Sequence, residues 1–164
     1  MTRYVGIDPS TKCGLVILKH GEVHVAEEIK TKVATDPQRF MDLAVQLRKN
    51  ILETDVICIE GFSYGSKGQG VSTQYGIGWM IRAELIRNGY SYTDVPPTSL
   101  KKFASGKGNT KKEELVLPIY KRWGFESNSD NIRDAYVLAR MAQALHEDIE
   151  LTAFQKEALK KVVG

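Results

Sequence analysis

Acidic residues end two of the most apolar runs in the chain. Val5-Gly6-Ile7 leads into Asp8, and Val56-Ile57-Cys58-Ile59 leads into Glu60. A carboxylate at the tip of a buried strand loses hydration, and the cost is offset only by pairing, hydrogen bonding or a bound cation. A third acidic group lies in Asp130-Asn131-Ile132-Arg133-Asp134-Ala135. The i, i+4 spacing places Asp130 and Asp134 one helical turn apart on one face, where like charges repel and a divalent cation reverses the sign. Asp130 is equally suited to capping the helix. Asp134 precedes Ala135, Leu138, Ala139 and Ala142, a close-packing face, and reads as a ligand. Carboxylates with no histidine or thiol cluster suit a hard, oxygen-preferring ion, Mg²⁺ or Mn²⁺, rather than zinc. Two such ions ~3.5–4 Å apart activate a water and stabilise the leaving oxygen of a phosphodiester. Asp8, Glu60, Asp130 and Asp134 are therefore the expected metal set. His20, His24 and His146 have no ligand spacing and read as surface or strand residues.

Basic charge is concentrated elsewhere. Between Lys101 and Trp123 stand Lys101, Lys102, Lys107, Lys111, Lys112, Lys121 and Arg122 against Glu113 and Glu114, a local +5 in a chain whose net charge is +3. Within it, Ser105-Gly106-Lys107-Gly108-Asn109-Thr110-Lys111-Lys112 reads as a glycine loop entering a helix, a combination of amides and lysines that suits phosphate oxygens. Lys112, with Lys101 and Lys107, is expected to neutralise phosphate charge beside the carboxylates, and Lys102 and Lys111 to contact the nucleic-acid backbone. Directly after Glu60 comes Gly61-Phe62-Ser63-Tyr64-Gly65-Ser66-Lys67-Gly68-Gln69-Gly70. Phe62 and Tyr64 there suit stacking on unpaired bases, with Lys67 behind them; the alternative for Phe62 is to fold inward over the sheet end. The segment contains neither GxGxxG nor a Walker pattern.

The elements that must carry these residues follow from periodicity. Tyr4–Asp8, Gly14–Lys19 and Glu22–Glu27 read as strands, with His20-Gly21 as a two-residue hairpin turn. Asp36-Pro37 reads as a cap and first helical residue, opening a helix through Phe40, Leu43, Ala44, Leu47 and Ile51 to about Leu52. Val56–Glu60 reads as a strand covered on both faces, followed by a helix over Val71–Arg87 and a strand over Ser91–Val95. Helices are then expected over Thr98–Phe103, Thr110–Trp123, Asn131–His146 and Thr152–Val162. The order β-β-β-α-β-α-β, then helices, implies an α/β fold: a ribonuclease H-like mixed five-stranded sheet flanked by helices.

The 164 residues suit a single domain, 1–164, with 151–164 as a helical extension. At 42% hydrophobic and 26% charged, the composition excludes a disordered or fibrous chain. Cys13 and Cys58 have neither a disulfide-framework nor a zinc spacing and read as buried thiols. No run approaches the ~18 apolar residues of a membrane span, and Asp8 interrupts any leader pattern. A soluble cytoplasmic protein without a membrane partner is expected.

Together these motifs resemble the RuvC-like Holliday-junction resolvases, especially the short phage-type members. Gly6-Ile7-Asp8-Pro9-Ser10-Thr11-Lys12-Cys13-Gly14 is similar to that family's first motif, Ile59-Glu60-Gly61-Phe62 to its second, and Asp130 to Ala135 to its acidic helix. Pro97 to Lys112, with Lys101 and Lys112 flanking the glycine loop, resembles its DNA-contacting segment. The likeness runs from the first motif to about Ala144. Cellular members carry helix acids three apart, and here Asn131 holds the first of those positions, so the fourth ligand is either Asp130 or the carbonyl oxygen of Asn131. The resemblance implies a Mg²⁺-dependent endonuclease, with Mn²⁺ as an alternative, active in a bacterial or phage-infected cytoplasm. It further implies a homodimer nicking branched DNA at two symmetric positions. The expected dimer face is the Val71–Arg87 helix with Ile77, Trp79, Met80, Ile81 and Leu85; the alternative is packing of this helix against the sheet, and the two can hold on different faces. The alternatives are a ribonuclease H-like nuclease acting on RNA–DNA hybrids and a non-catalytic branched-DNA-binding module.

Overall fold

A computed structural model describes residues 1–162. Five strands, β1 (Arg3–Asp8), β2 (Cys13–Lys19), β3 (Glu22–Ile29), β4 (Val56–Glu60) and β5 (Thr93–Val95), form one sheet in the order β3-β2-β1-β4-β5. The β1–β2 and β2–β3 pairs are antiparallel, whereas β1–β4 and β4–β5 are parallel. The helices are α1 (Gln38–Arg48), α2 (Val71–Arg87), α3 (Pro97–Ser105), α4 (Val116–Trp123), α5 (Asp130–His146) and α6 (Ala153–Lys160), with a 3₁₀ turn over Lys112–Leu115. The mixed five-stranded α/β architecture agrees with the sequence pattern. His20 and Gly21 both take positive φ, 56° and 77°, as the tight β2–β3 turn requires.

Alternation along the strands sorts the side chains between two cores. Val5, Ile7, Leu15, Ile17, Ile57 and Ile59 pack with α1 and α2 on one face. Tyr4, Val16, Leu18 and Cys58 pack with α3, α4, α5 and α6 on the other. The period of two therefore assigns Asp8 and Glu60 to the second face, continuing Tyr4-Gly6 and Val56-Cys58. In the parallel register Ile7 pairs with Ile59, so the two acids leave neighbouring strands side by side.

Helix α5 crosses that same face at backbone contact. A Cβ on Gly6 would overlap the Ala135 carbonyl and lie 2.6 Å from the Ala139 nitrogen, and one on Gly14 would overlap the Asn131 carbonyl. Two glycines on adjacent strands thus form the bed for the Asn131, Ala135 and Ala139 stripe. This packing brings the first turns of α5 to the ends of β1 and β4.

Several boundaries differ from the sequence pattern. Helix α1 ends at Arg48, leaving Ile51 buried in a following turn and Leu52 exposed. Asp36 does not cap it: its carboxylate takes the Arg39 guanidinium at 2.7 Å, and Pro37 holds the cap position. The expected Thr110–Trp123 helix is a 3₁₀ turn followed by α4. Pro118, which lacks an N–H, is tolerated in the first turn of α4 but would break a longer helix. Asp130 is the first residue of α5; the cap is Ser129, whose Oγ accepts from the Ile132 N–H at 3.1 Å. Strand β3 runs on to Ile29 and β5 is confined to three residues. The last helix spans Ala153–Lys160, is capped by Thr152, and buries Ala158 and Leu159 in the α3–α5 core of its own chain. Residues 163–164 of the expected extension lie outside the described residues.

Gly6→Ala is expected to cost ~3 kcal/mol or more, because backbone rather than a side chain blocks the new methyl group. Thermal unfolding would show a Tm lower by roughly 10 °C. Gly65→Ala, with open space around the position, should leave the Tm unchanged.

Candidate active site

Asp8, Glu60 and Asp134 converge from β1, β4 and the second turn of α5, each offering an oxygen within 4.8 Å of the others. Asp8 is 5% exposed and Asp134 6%, and Asp8 Oδ2 is buried without a hydrogen-bond partner among the described residues. Burial first, then the neighbouring Glu60 and Asp134 charges, hold the Asp8 carboxyl well above the usual carboxylate range. Burial and then Asp134 push Glu60 up to about 8, against the pull of Lys112 and Lys101. Burial raises Asp134 to about 6, with Lys112 opposing. Burial and mutual repulsion favour the protonated forms of such a cluster, and a bound cation favours the ionised ones. The donor set is entirely oxygen, and the orphaned Asp8 Oδ2 has an unmet demand for positive charge. The site therefore fits Mg²⁺ or Mn²⁺.

The other two ligand candidates are engaged differently. Asp130 Oδ2 accepts from Lys112 Nζ at 3.0 Å, and this bond holds its carboxyl below the ordinary range. Asp130 thus stands outside the three-oxygen cluster and anchors Lys112 at its border. Asn131 Nδ2 donates to the Lys12 carbonyl at 2.9 Å, tying the start of α5 to the β1–β2 turn. Lys112 loses affinity for its proton through burial but gains more from Asp130, Asp134 and Asp8, so its pKa is raised and the charge is secured.

The carboxylates floor a cavity of about 480 Å³ whose wall includes Lys67, Lys101 and Lys112 together with Ser10 and Tyr75. The five lysines expected between 101 and 112 are therefore not equivalent. Lys102 turns away to Glu157 of α6, with Nζ at 2.9 Å from the carboxylate. Lys107 and Lys111 are exposed and absent from the cavity wall. The glycine loop does not enter an α-helix, and its amides are partly used internally. Lys107 N–H donates to Ser105 Oγ, and Lys111 N–H to Glu114 Oε1 at 3.3 Å.

The segment after Glu60 also divides. Phe62 folds inward, stacked on Tyr75 at 4.9 Å, against Trp79 at 4.7 Å, and beneath the Arg82 guanidinium at 4.4 Å. Tyr64 is 77% exposed at the edge of this aromatic group. Arg82, Tyr75 and Ser10 are wall residues that the sequence did not single out. A polar residue at one position of an otherwise packed helix carries no distinctive spacing. Of the expected dimer face, Ile77, Ile81 and Leu85 are buried in the α1–α2 core, whereas Trp79 is 56% exposed. His20 and His146 line a separate cavity at the opposite sheet end, beside Tyr4. Among the described residues, no helix is long and apolar enough to cross a membrane.

No protein-family model and no curated protein sequence matches the chain. Solved structures do match its fold. Thermus thermophilus RuvC superposes with a TM-score of 0.60 at 18% identity, covering 84% of this chain and 90% of that one. Thermus thermophilus RuvC in complex with Holliday junction substrate gives a TM-score of 0.63 at 18% identity, covering 85% and 91%. The chain thus has the RuvC-like, ribonuclease H-like fold.

Metal-free stability should fall as pH rises. Burial pushes the Glu60 carboxyl up to about 8 in the folded state, well above the ordinary carboxylate range of the unfolded chain. The native state therefore holds more protons across that window, and its advantage is lost as pH climbs through the folded value. With a chelator present, Tm should drop by ~5 °C or more between pH 5 and 8, and saturating Mn²⁺ should restore most of it at pH 8. Glu60→Gln should flatten the metal-free profile; an unchanged slope would contradict the coupling.

Proposed function

We propose that this chain is a divalent-metal-dependent, structure-selective endodeoxyribonuclease that resolves Holliday junctions and related branched DNA by paired symmetric nicks. The observation carrying this reading is the three-carboxylate floor of a lysine-walled cavity. Its position at the parallel-strand end of a ribonuclease H-like sheet, on a fold shared with a protein solved on a Holliday junction, supports the choice of substrate.

Asp8, Glu60 and Asp134 would hold Mg²⁺ or Mn²⁺, two ions per site, with Asn131 or Asp130 as the supplementary ligand. When bound, such ions supply Lewis-acid activation of water and neutralise charge on the phosphodiester. The chain's own contribution is placement and electrostatics. Lys112, fixed by Asp130, and Lys101 and Lys67 on the cavity wall set positive charge against the phosphate next to the scissile bond. Lys107 and Lys111 extend that charge along the exposed flank, and Lys102 joins it only by leaving Glu157. Tyr64, rather than the inward-packed Phe62, presents the ring available for stacking on an unpaired base.

Residues 1–164 read as a single nuclease domain, and the described residues carry one three-carboxylate cluster, so two cuts related by a twofold axis would be made by two copies of the chain. The exposed Trp79 on α2 supports placing the partner there. A cytoplasmic, membrane-free setting is consistent with a DNA substrate.

Incubation of the purified chain with a mobile four-way junction and Mg²⁺ should give paired nicks, with much less product from an RNA–DNA hybrid. Hybrid cleavage at equal or higher rate would move the substrate class. Asp8→Asn should abolish cleavage while holding junction affinity within ~3-fold, because the change removes charge at the floor and leaves the phosphate-facing lysines in place. Lys101→Ala should weaken junction binding and flatten its salt dependence more than Lys102→Ala does, since Lys102 is already paired with Glu157.

A further inference from the structure

Arg82 is the least expected charge in the molecule. Its side chain is 3% exposed in the middle of α2, yet its carboxylate partner, Asp94, is 58% exposed. Nε and Nη2 donate to Asp94 Oδ1 at 3.1 and 2.7 Å, Nη1 donates to the Gly78 carbonyl at 3.0 Å, and Nη2 donates to the Glu60 carbonyl at 3.0 Å. The guanidinium also lies over the Phe62 ring at 4.4 Å and beside Tyr92 and Trp79 at 5.8 and 6.0 Å. A desolvated cation held this way is weak as a stabilising device, because an apolar side chain of similar volume generally serves a core as well. Its geometry is what distinguishes it. The planar fork reaches three chain segments at once: the last residue of β4, β5 and α2.

The site depends on the first of those contacts. Glu60 is the final residue of β4, and the chain leaves the sheet immediately afterwards, with Gly61 N–H bonded to the Val95 carbonyl at 2.7 Å. The direction in which the Glu60 carboxylate enters the cavity is set by its backbone. That backbone is pinned on one side by Val95 and on the other by Arg82. The ring of Phe62, two residues on, is clamped between the same guanidinium and Tyr75, and a Cβ on Gly78 would overlap that ring.

We propose that Arg82 is a positioning residue for the carboxylate cluster. It fixes the strand end that aims Glu60 and the point from which the 61–70 segment departs, acting through these two chain positions. The assignment rests on the metal-site reading of Asp8, Glu60 and Asp134. Residues behind a metal ligand typically alter ion affinity by ~10–100-fold when replaced.

The test uses the full chain and two variants. Arg82→Met fills the aromatic surroundings but removes the fork, and Asp94→Ala removes the exposed ion pair while leaving the bond to the Glu60 carbonyl. Calorimetric titration of the metal-free protein with MnCl₂ should show ~10-fold or greater weakening for Arg82→Met. Asp94→Ala should weaken it by less than about 3-fold, because Arg82 keeps its bond to the Glu60 carbonyl. Trypsin cleavage after Lys67, measured without metal, should be several-fold faster in Arg82→Met and near wild type in Asp94→Ala. In junction cleavage, Arg82→Met should lower kcat with KM unchanged. If methionine prevents folding, Arg82→Gln carries the same measurements. Unchanged cleavage at Lys67, wild-type Mn²⁺ affinity in the Arg82 variant, or equal losses in the two variants would overturn the assignment. A wild-type chain that binds no Mn²⁺ overturns the metal reading instead, and the Lys67 measurement then decides the role of Arg82 alone.

Discussion

Three carboxylates held within 4.8 Å of one another, two of them almost wholly buried, are the constraint around which this molecule is organised. Their mutual repulsion and lost hydration oppose folding, and burial is the larger cause of the raised proton affinity at each. Such a cluster persists because the surrounding packing over-determines it. Asp8 and Glu60 are fixed by the parallel register of β1 and β4. Asp134 is delivered by a helix pressed onto the sheet at Gly6 and Gly14. The packing that stabilises the second core is thus the packing that concentrates negative charge at its edge, and a divalent cation held there would relieve the cost while gaining a preformed set of oxygens.

The basic residues complete this arrangement selectively. A net charge of +3 says little about the surface because its lysines are differently employed. Lys101 and Lys112 share the cavity with the carboxylates, and both lower the proton affinity of Glu60 and Asp134. Lys102, adjacent in sequence, reaches the opposite way to Glu157 and helps seat α6 on α3. One step along a helix turns a side chain by about 100°, which separates a lysine on the cavity wall from one paired with α6. Asp130 belongs to the same economy of charge: it stands one turn from Asp134 and spends its carboxylate on Lys112, a bond that lowers its own pKa while Asp134's is raised.

The segment after Glu60 gains its order from α2 rather than from its own composition. Glycines and polar residues between Gly61 and Gly70 specify no single conformation. Phe62 is immobilised by Tyr75, Trp79 and Arg82 from the facing helix, and Tyr64, two residues later, projects outward. Inward and outward rings of near-identical chemistry are told apart only by what the helix offers each of them.

The amino-acid sequence alone determined the strand-ending acids, the His20-Gly21 turn and the succession of strands and helices along the chain. These are local consequences of apolar period and of backbone preference, so they can be read without knowing any neighbour. It also singled out Asp134 on the acidic helix, the acid that the structure brings beside Asp8 and Glu60. Other features belonged to tertiary structure, because each depends on a partner distant in the chain. Ser129 rather than Asp130 caps α5, Lys112 captures Asp130 from eighteen residues away, Pro118 limits a helix whose periodicity suggested a longer one, and Phe62 turns inward. Arg82 had no signature at all, since the carbonyl, carboxylate and rings that give its charge a purpose meet only when β4, β5 and α2 have packed.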